Sequence, residues 1–103
     1  MRSTPILTAA EILSLLAEQK QTMSGAYGLR EIGLFGSYAD DQAVPESDID
    51  LLVDLEVGHK SLFNFLRLKF ELEKLLGREV DLVMKSALKP RLRERILRQV
   101  RYV

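Results

Sequence analysis

The amino-acid sequence predicts a small α/β or α+β domain in which a short mixed β-sheet is flanked by helices. Segments with apolar residues at helical spacing alternate along the chain with short strand-like segments, and glycine or proline separates them. The 103 residues and the 47% hydrophobic composition suffice for one core but not for two independent cores. We therefore expect a single domain over residues 1–103, whose strand order the sequence does not fix.

The N-terminal segment predicts the first helix. Thr8 and Glu11 form a capping-box pattern, so the helix should begin near Thr8 and run into the low twenties. Gly25 and Gly28 are expected to end it. Its apolar residues recur at helical spacing, namely Ile12, Leu15 and Leu16.

A strand and a connector follow this helix. Residues 29–35 predict a short strand, which the Gly36-Ser37 pair ends. The segment 38–47 contains Pro45 and predicts a connector with one helical turn.

The second half of the chain predicts two strands and two helices. Residues 48–55 alternate as a strand does, with Ile49, Leu51 and Val53 on one face and Asp48, Asp50, Leu52 and Asp54 on the other. Residues 61–76 predict a long helix that Gly77 ends, and residues 79–84 predict a third strand. Pro90 is placed to open a last helix, which carries Leu92, Ile96 and Leu97.

Composition limits the classes of function. The sequence has no cysteine, which excludes disulfides and thiolate sites and fits a reducing compartment. No stretch is apolar and long enough to span a bilayer, and the N-terminus lacks a secretory h-region, so we expect a cytoplasmic protein without membrane contact. The formal net charge of zero gives no reason to expect direct nucleic-acid binding.

Three aspartates are the candidate catalytic residues. Asp48 and Asp50 lie two residues apart on one strand, so both carboxylates project from the same face, roughly 6 to 7 Å apart at their Cα atoms. Asp81 is centred on the next predicted strand. Carboxylates that share a space repel each other, and hard cations such as Mg²⁺ relieve that repulsion. The three together predict a site for two Mg²⁺ ions that bridge phosphate oxygens, although each motif alone is typical of a solvated strand face.

The Gly36-Ser37 pair is a candidate phosphate site. It follows a strand and precedes a possible helical turn, where free backbone N–H groups and a hydroxyl can surround a phosphate. Taken alone, the pair is far more typical of an ordinary strand-ending turn, and its spacing from the aspartates is what makes it a candidate.

Read together, these residues resemble a known signature. Gly36-Ser37, ten residues and Asp48-Ile49-Asp50 resemble the GS-x10-DxD motif of the polymerase-β-like nucleotidyltransferase superfamily, and VDLV with the ending ALKPRLRERILRQV resembles its minimal nucleotidyltransferase subgroup. The resemblance implies the polymerase-β-like fold and ATP as substrate. It also implies phosphate binding by Gly36 and Ser37, metal binding by Asp48, Asp50 and Asp81, and activation of the attacking hydroxyl by Asp81.

The resemblance also implies a partner. Many minimal nucleotidyltransferases are antitoxins of a HEPN-domain ribonuclease, and some attach AMP to a tyrosine of that toxin. Asp40-Asp41 departs from the family pattern, because relatives commonly carry Arg-Gly there. Two added negative charges beside a nucleotide oppose phosphate binding unless they point to solvent.

Two other functions compete with AMP transfer to a toxin. A catalytically silent antitoxin would neutralise its partner by binding alone, and Asp40-Asp41 favours that reading. Transfer to a small molecule ranks last, because the chain has no room for an acceptor-binding second domain.

For several other residues we weigh a structural role against a functional one. His59 is expected in an exposed loop without a catalytic role, and Tyr38 is expected to pack rather than stack on a base. The arginines of the last helix are expected to form a solvated face. The long helix is apolar on more than one side, which fits either an interface or packing on two neighbours.

Overall fold

The computed structural model of the protein describes residues 6–103. The first five residues of the predicted single domain lie outside this range. Three α-helices, four strands and three short 3₁₀ segments follow one another along the described chain. In order they are α1 (Ala9–Tyr27), β1 (Leu29–Phe35), a 3₁₀ turn (Ser37–Asp40), β2 (Ile49–Leu55), a second 3₁₀ turn (Val57–His59), α2 (Leu62–Leu76), β3 (Val80–Met84), a third 3₁₀ turn (Lys85–Ala87), α3 (Pro90–Gln99) and β4 (Arg101–Tyr102).

Helix α1 begins as predicted but ends later. Thr8 and Glu11 form the capping box, with each side chain accepting a hydrogen bond from the other residue's backbone N–H. Gly25 lies inside the helix, and the left-handed Gly28 ends it. The extra turn is favourable because it buries Met23 and Tyr27.

The sheet is mixed, as predicted, and its strand order is β3-β2-β1-β4. Strand β1 pairs antiparallel with both β2 and β4, whereas β2 and β3 are parallel. The sequence did not predict β4, because a strand of only two exposed residues is too short to show an alternation of apolar and polar residues.

The two faces of the sheet have different covers. One face packs against α1 and α2 through a continuous apolar cluster that includes Ile12, Leu16, Leu34, Leu51, Leu68 and Leu72. The other face carries a smaller cluster of Phe35, Leu52 and Ile96 of α3. Leu52 therefore shares the carboxylate face, as the alternation predicted, and α3 covers it.

Helix α2 is apolar on both its packed and its outer side. Ser61 caps its start and the left-handed Gly77 ends it, as predicted. The inner side buries Leu68, Leu72 and Leu76. On the outer side Leu62 and Phe63 are both 72% exposed, and Leu66 and Phe70 are exposed as well, so packing on two neighbours does not account for these four residues.

Helix α3 contributes less to the core than predicted. Ile96 is buried and Leu97 packs against it, but Leu92 is exposed. Within residues 6–103 no helix combines the length and the apolar character that a membrane span requires.

The packing of the C-terminus on β1 depends on Gly33. A Cβ at this position would collide with the Val100 side chain and lie 3.1 Å from Cδ1 of Tyr102. We expect Gly33→Ala to displace β4 and to destabilise the protein by about 1–3 kcal/mol. Thermal denaturation followed by circular dichroism checks this as a lower Tm.

Gly25→Ala is the matched control. A Cβ at Gly25 meets nothing within 4 Å, and alanine favours a helix over glycine. This variant is expected to keep or raise the Tm, and an equal loss in both variants would contradict the role of Gly33.

Candidate active site

The pairing of β2 and β3 brings two of the predicted aspartates together. In the parallel register Asp50 lies opposite Asp81, close enough for a hydrogen bond between the two carboxyl groups to contribute to the raised pKa of Asp50. Both strands begin at fixed points, because the Ile49 N–H donates to the Glu79 carbonyl at 3.0 Å and the Val80 N–H donates to Oε2 of Glu73 at 3.0 Å. The three-aspartate hypothesis required these two strands to be neighbours, and they are.

Asp48 stands just before β2 and is exposed. It lies close enough to raise the pKa of Asp50 by charge repulsion. Among residues 6–103, however, no group of three or more His, Cys, Asp or Glu side chains is arranged to hold a metal ion as it stands. Asp50 and Asp81 thus lie side by side, and the exposed Asp48 lies near them without completing a metal-binding set in this structure.

The electrostatics of this group favour a cation. Burial is the largest cause that raises the pKa of Asp50, and together with the charge of Asp81, a hydrogen bond to Asp81 and the charge of Asp48 it raises this pKa from 3.8 to about 6. A carboxyl group in this state is stabilised when a positive charge joins it. All the candidate ligand atoms are carboxylate oxygens, and oxygen ligands suit the hard cation Mg²⁺.

Gly36 lies directly against the carboxyl group of Asp50. Its φ of 74° and ψ of −158° belong to a backbone region that side chains disfavour. A Cβ at this position would collide with Oδ2 of Asp50 and lie 2.9 Å from its Cγ. The Gly-Ser turn and the aspartates, which lie apart in the sequence, therefore form one site, with Ser37 at the start of the adjoining 3₁₀ turn.

The connector after this turn directs its two acidic residues differently. Tyr38 and Ala39 are buried, as the packing interpretation of Tyr38 predicts. Asp40 is exposed. Asp41 adopts the left-handed conformation with φ of 54°, and its Oδ1 accepts a hydrogen bond of 2.8 Å from the backbone N–H of Ala9. The charge of Asp41 thus faces the N-terminus of α1, where the helix dipole stabilises it.

His59 does not lie in the exposed loop that the sequence predicts. It is half-buried, and its ring packs on Gly28, where a Cβ would lie 2.5 Å from Nδ1. Its carbonyl accepts a hydrogen bond of 2.8 Å from the amide of Asn64. Strand β2 separates His59 from Asp50 by most of its length, so the interpretation without a catalytic role agrees with its place in the fold.

Two arginines near the site were missed in the sequence. Arg78 donates from Nη1 to the Pro45 carbonyl at 2.9 Å and lines a polar cleft with Asp48. Arg101 of β4 donates from Nη1 to the Ala39 carbonyl at 3.2 Å. No local signal identifies either contact, because each joins segments more than 30 residues apart. The arginines of α3 are exposed, as predicted.

The burial of Asp50 and the charge repulsion around it predict a pH-dependent stability. The folded pKa of about 6 lies above the ordinary 3.8, so the folded state binds the extra proton between these values and loses stability as pH rises through them. In EDTA, we expect Asp50→Asn to raise the Tm by about 5 °C at pH 7.5. The substitution removes the cost of a buried, repelled carboxylate charge, which amounts to about 1 kcal/mol after solvent screening. The gain should vanish near pH 4, as thermal melts at both pH values will show.

Asp54→Asn is the control on the same strand face. Asp54 pairs with Arg30 at 4.0 Å rather than with another carboxylate, so its replacement should give no gain. A Tm increase that is the same at pH 4 and pH 7.5 would contradict the assignment to Asp50.

Comparison with known proteins places this geometry among nucleotide-transferring domains. Residues 16–103 match the family model of the nucleotidyltransferase domain. The protein adenylyltransferase MntA of Thermococcus cleftensis is 48% identical over 98 residues, which span 95% of this chain and 98% of that protein.

Two solved structures show the same fold. A minimal nucleotidyltransferase is 36% identical, with a TM-score of 0.76, over 95% of this chain and 98% of its own. A toxin–antitoxin structure with AMP-PNP is 26% identical, with a TM-score of 0.67, over 93% of this chain and 72% of its own. The predicted fold class, a small mixed sheet flanked by helices, is thus confirmed, and the sheet has four strands.

Proposed function

Because the chain belongs to the nucleotidyltransferase domain family, we propose that it transfers AMP from ATP to a hydroxyl group with the help of two Mg²⁺ ions. The proposed acceptor is a tyrosine of a cognate HEPN ribonuclease toxin, which would make the chain an antitoxin. The relative named protein adenylyltransferase MntA and the toxin–antitoxin relative with AMP-PNP support this reaction and this partner. We also place the protein in the cytoplasm, in keeping with the absence of cysteine.

One observation carries the proposal. Gly36 approaches Asp50 so closely that no side chain fits between them, and Asp50 contacts Asp81. A turn suited to phosphates therefore adjoins carboxylates suited to cations. Phosphoryl-type transfer requires little else of a protein, since positioning and charge neutralisation supply most of the catalysis.

Each residue has a defined part in the proposed reaction. Asp48, Asp50 and Asp81 would hold Mg²⁺, which when bound neutralises the charge of the phosphates. The N–H groups and hydroxyl of Gly36-Ser37 would bind the phosphates. Asp81 is exposed, so an acceptor hydroxyl can reach it and give up its proton there. The acceptor oxygen then bonds to the α-phosphorus, and the bond to the leaving pyrophosphate breaks.

The exposure of the site fits a protein acceptor. Asp48 and Asp81 are both open to solvent. The described residues build one sheet with its helices, and none of them forms a separate acceptor domain. A docked partner would then supply the tyrosine and exclude water.

Transfer of label from ATP to the cognate HEPN protein tests the proposal. Asp48→Ala combined with Asp50→Ala should reduce the rate by about 10²-fold or more, because cation stabilisation of the phosphates contributes several kcal/mol. Labelled α-phosphate followed by gel autoradiography measures this, and mass spectrometry of the product locates the modified residue.

Asp54→Asn is the control for the same strand face and should transfer at the wild-type rate, since Asp54 pairs with Arg30. Circular dichroism verifies that all variants fold. Transfer by the double variant at the wild-type rate would reject the assigned site.

Neutralisation by binding alone is the second candidate function. Asp40-Asp41 favours it, but the structure weakens that argument because Asp41 points to α1 rather than into the site. If catalysis is required, the Asp48→Ala/Asp50→Ala variant should bind the toxin without protecting cells that express it. Full protection by this variant would favour the silent antitoxin.

A further inference from the structure

Two long-range hydrogen bonds converge on the 3₁₀ turn that follows Gly36. From one side, Oδ1 of Asp41 accepts from the Ala9 N–H at 2.8 Å and ties the end of the turn to α1. From the other side, Nη1 of Arg101 donates to the Ala39 carbonyl at 3.2 Å and ties the turn to β4. The two hydrogen bonds join residues that lie 32 and 62 positions apart in the sequence.

The turn depends on these hydrogen bonds to other segments of the chain. A 3₁₀ segment of four residues has few hydrogen bonds of its own. Here the N–H groups of Ala39, Asp41 and Gln42 donate to the carbonyls of Gly36, Tyr38 and Ser37 at 3.1, 3.3 and 2.8 Å. Gly36 at its start lies against Asp50 in a backbone conformation that glycine adopts readily and other residues avoid. Because glycine is equally free to adopt other conformations, contacts elsewhere are needed to hold this one.

We propose that Asp41 and Arg101 are positioning residues that together hold the Gly36-Ser37 turn against Asp50 for nucleotide binding. The inference rests on the proposed function, since it concerns the same phosphate site. It assigns a purpose to the unusual Asp41 and to the short strand β4. Neither residue touches the phosphates in this role.

The chemistry of Asp41 supports a positioning role. Aspartate and asparagine tolerate the left-handed backbone and offer an oxygen to a helix N-terminus, whereas alanine does neither. Glycine tolerates the backbone but has no oxygen. A glycine at position 41 would therefore keep the turn and lose the hydrogen bond to α1.

Nucleotide affinity and hydrogen exchange test the proposal. We expect Asp41→Ala and Arg101→Met each to weaken binding of AMP-PNP with Mg²⁺ by about fivefold to tenfold, as the loss of one hydrogen bond implies. Isothermal titration calorimetry measures the Kd. In the nucleotide-free variants, amide exchange of residues 37–42 should accelerate by a similar factor.

Conservative variants and a double variant separate positioning from general stability. Asp41→Asn and Arg101→Lys should restore the affinity to within about twofold of wild type. Because both ties act on one turn, the combined Asp41→Ala/Arg101→Met variant should lose less affinity than the product of the two single losses. Asp40→Ala and Arg95→Met, which replace exposed residues of the same kinds, should bind at least as tightly as wild type.

The outcomes distinguish this inference from the proposed function. Unchanged exchange in residues 37–42 overturns the inference, as does equal weakening in the control variants. If exchange and affinity change as expected while the wild-type chain labels no partner, the positioning role stands and AMP transfer to that partner fails. If the wild-type chain labels its partner and both variants bind AMP-PNP normally, AMP transfer stands and the positioning role fails.

Discussion

The contact between the Asp50 and Asp81 carboxyl groups is the interaction on which the candidate site depends. Parallel pairing of β2 and β3 fixes it, and burial of the strand core on both sides prevents the two groups from separating. Two carboxylates held side by side repel each other, and without a bound cation nothing offsets the free energy of that repulsion. Such a cost is typical of a site that is arranged for a cation rather than for stability.

The rest of the fold supports that contact. Apolar residues of β1 and β2 pack under α1 and α2, and Ile96 of α3 covers the opposite face next to the site. Glu73 of α2 accepts a hydrogen bond from the backbone N–H of Val80 at the start of β3, and this bond lowers the pKa of Glu73. Helices on both faces thus fix the strand ends from which the carboxylates project, while the site itself remains open to solvent.

Sequence reasoning succeeded where chemistry is local. Alternation in β2 places Asp50 on one face, and the capping box starts α1, because both patterns depend on neighbouring residues. It failed where contacts are distant. The burial of His59 against Gly28 and the contact of Arg101 with Ala39 depend on how separate segments pack. The assignment of Asp48, Asp50 and Asp81 to metal, and of Gly36 and Ser37 to phosphate, stays a prediction.

Crystals grown with Mn²⁺ in place of Mg²⁺ and with AMP-PNP provide the most direct measurement of the central claim. An anomalous-difference map should show manganese bound by Asp50, with Asp48 and Asp81 as further ligands and the phosphates against Gly36 and Ser37. Manganese and nucleotide bound elsewhere, with the Asp50 and Asp81 carboxyl groups still hydrogen-bonded to each other, would contradict the proposed site.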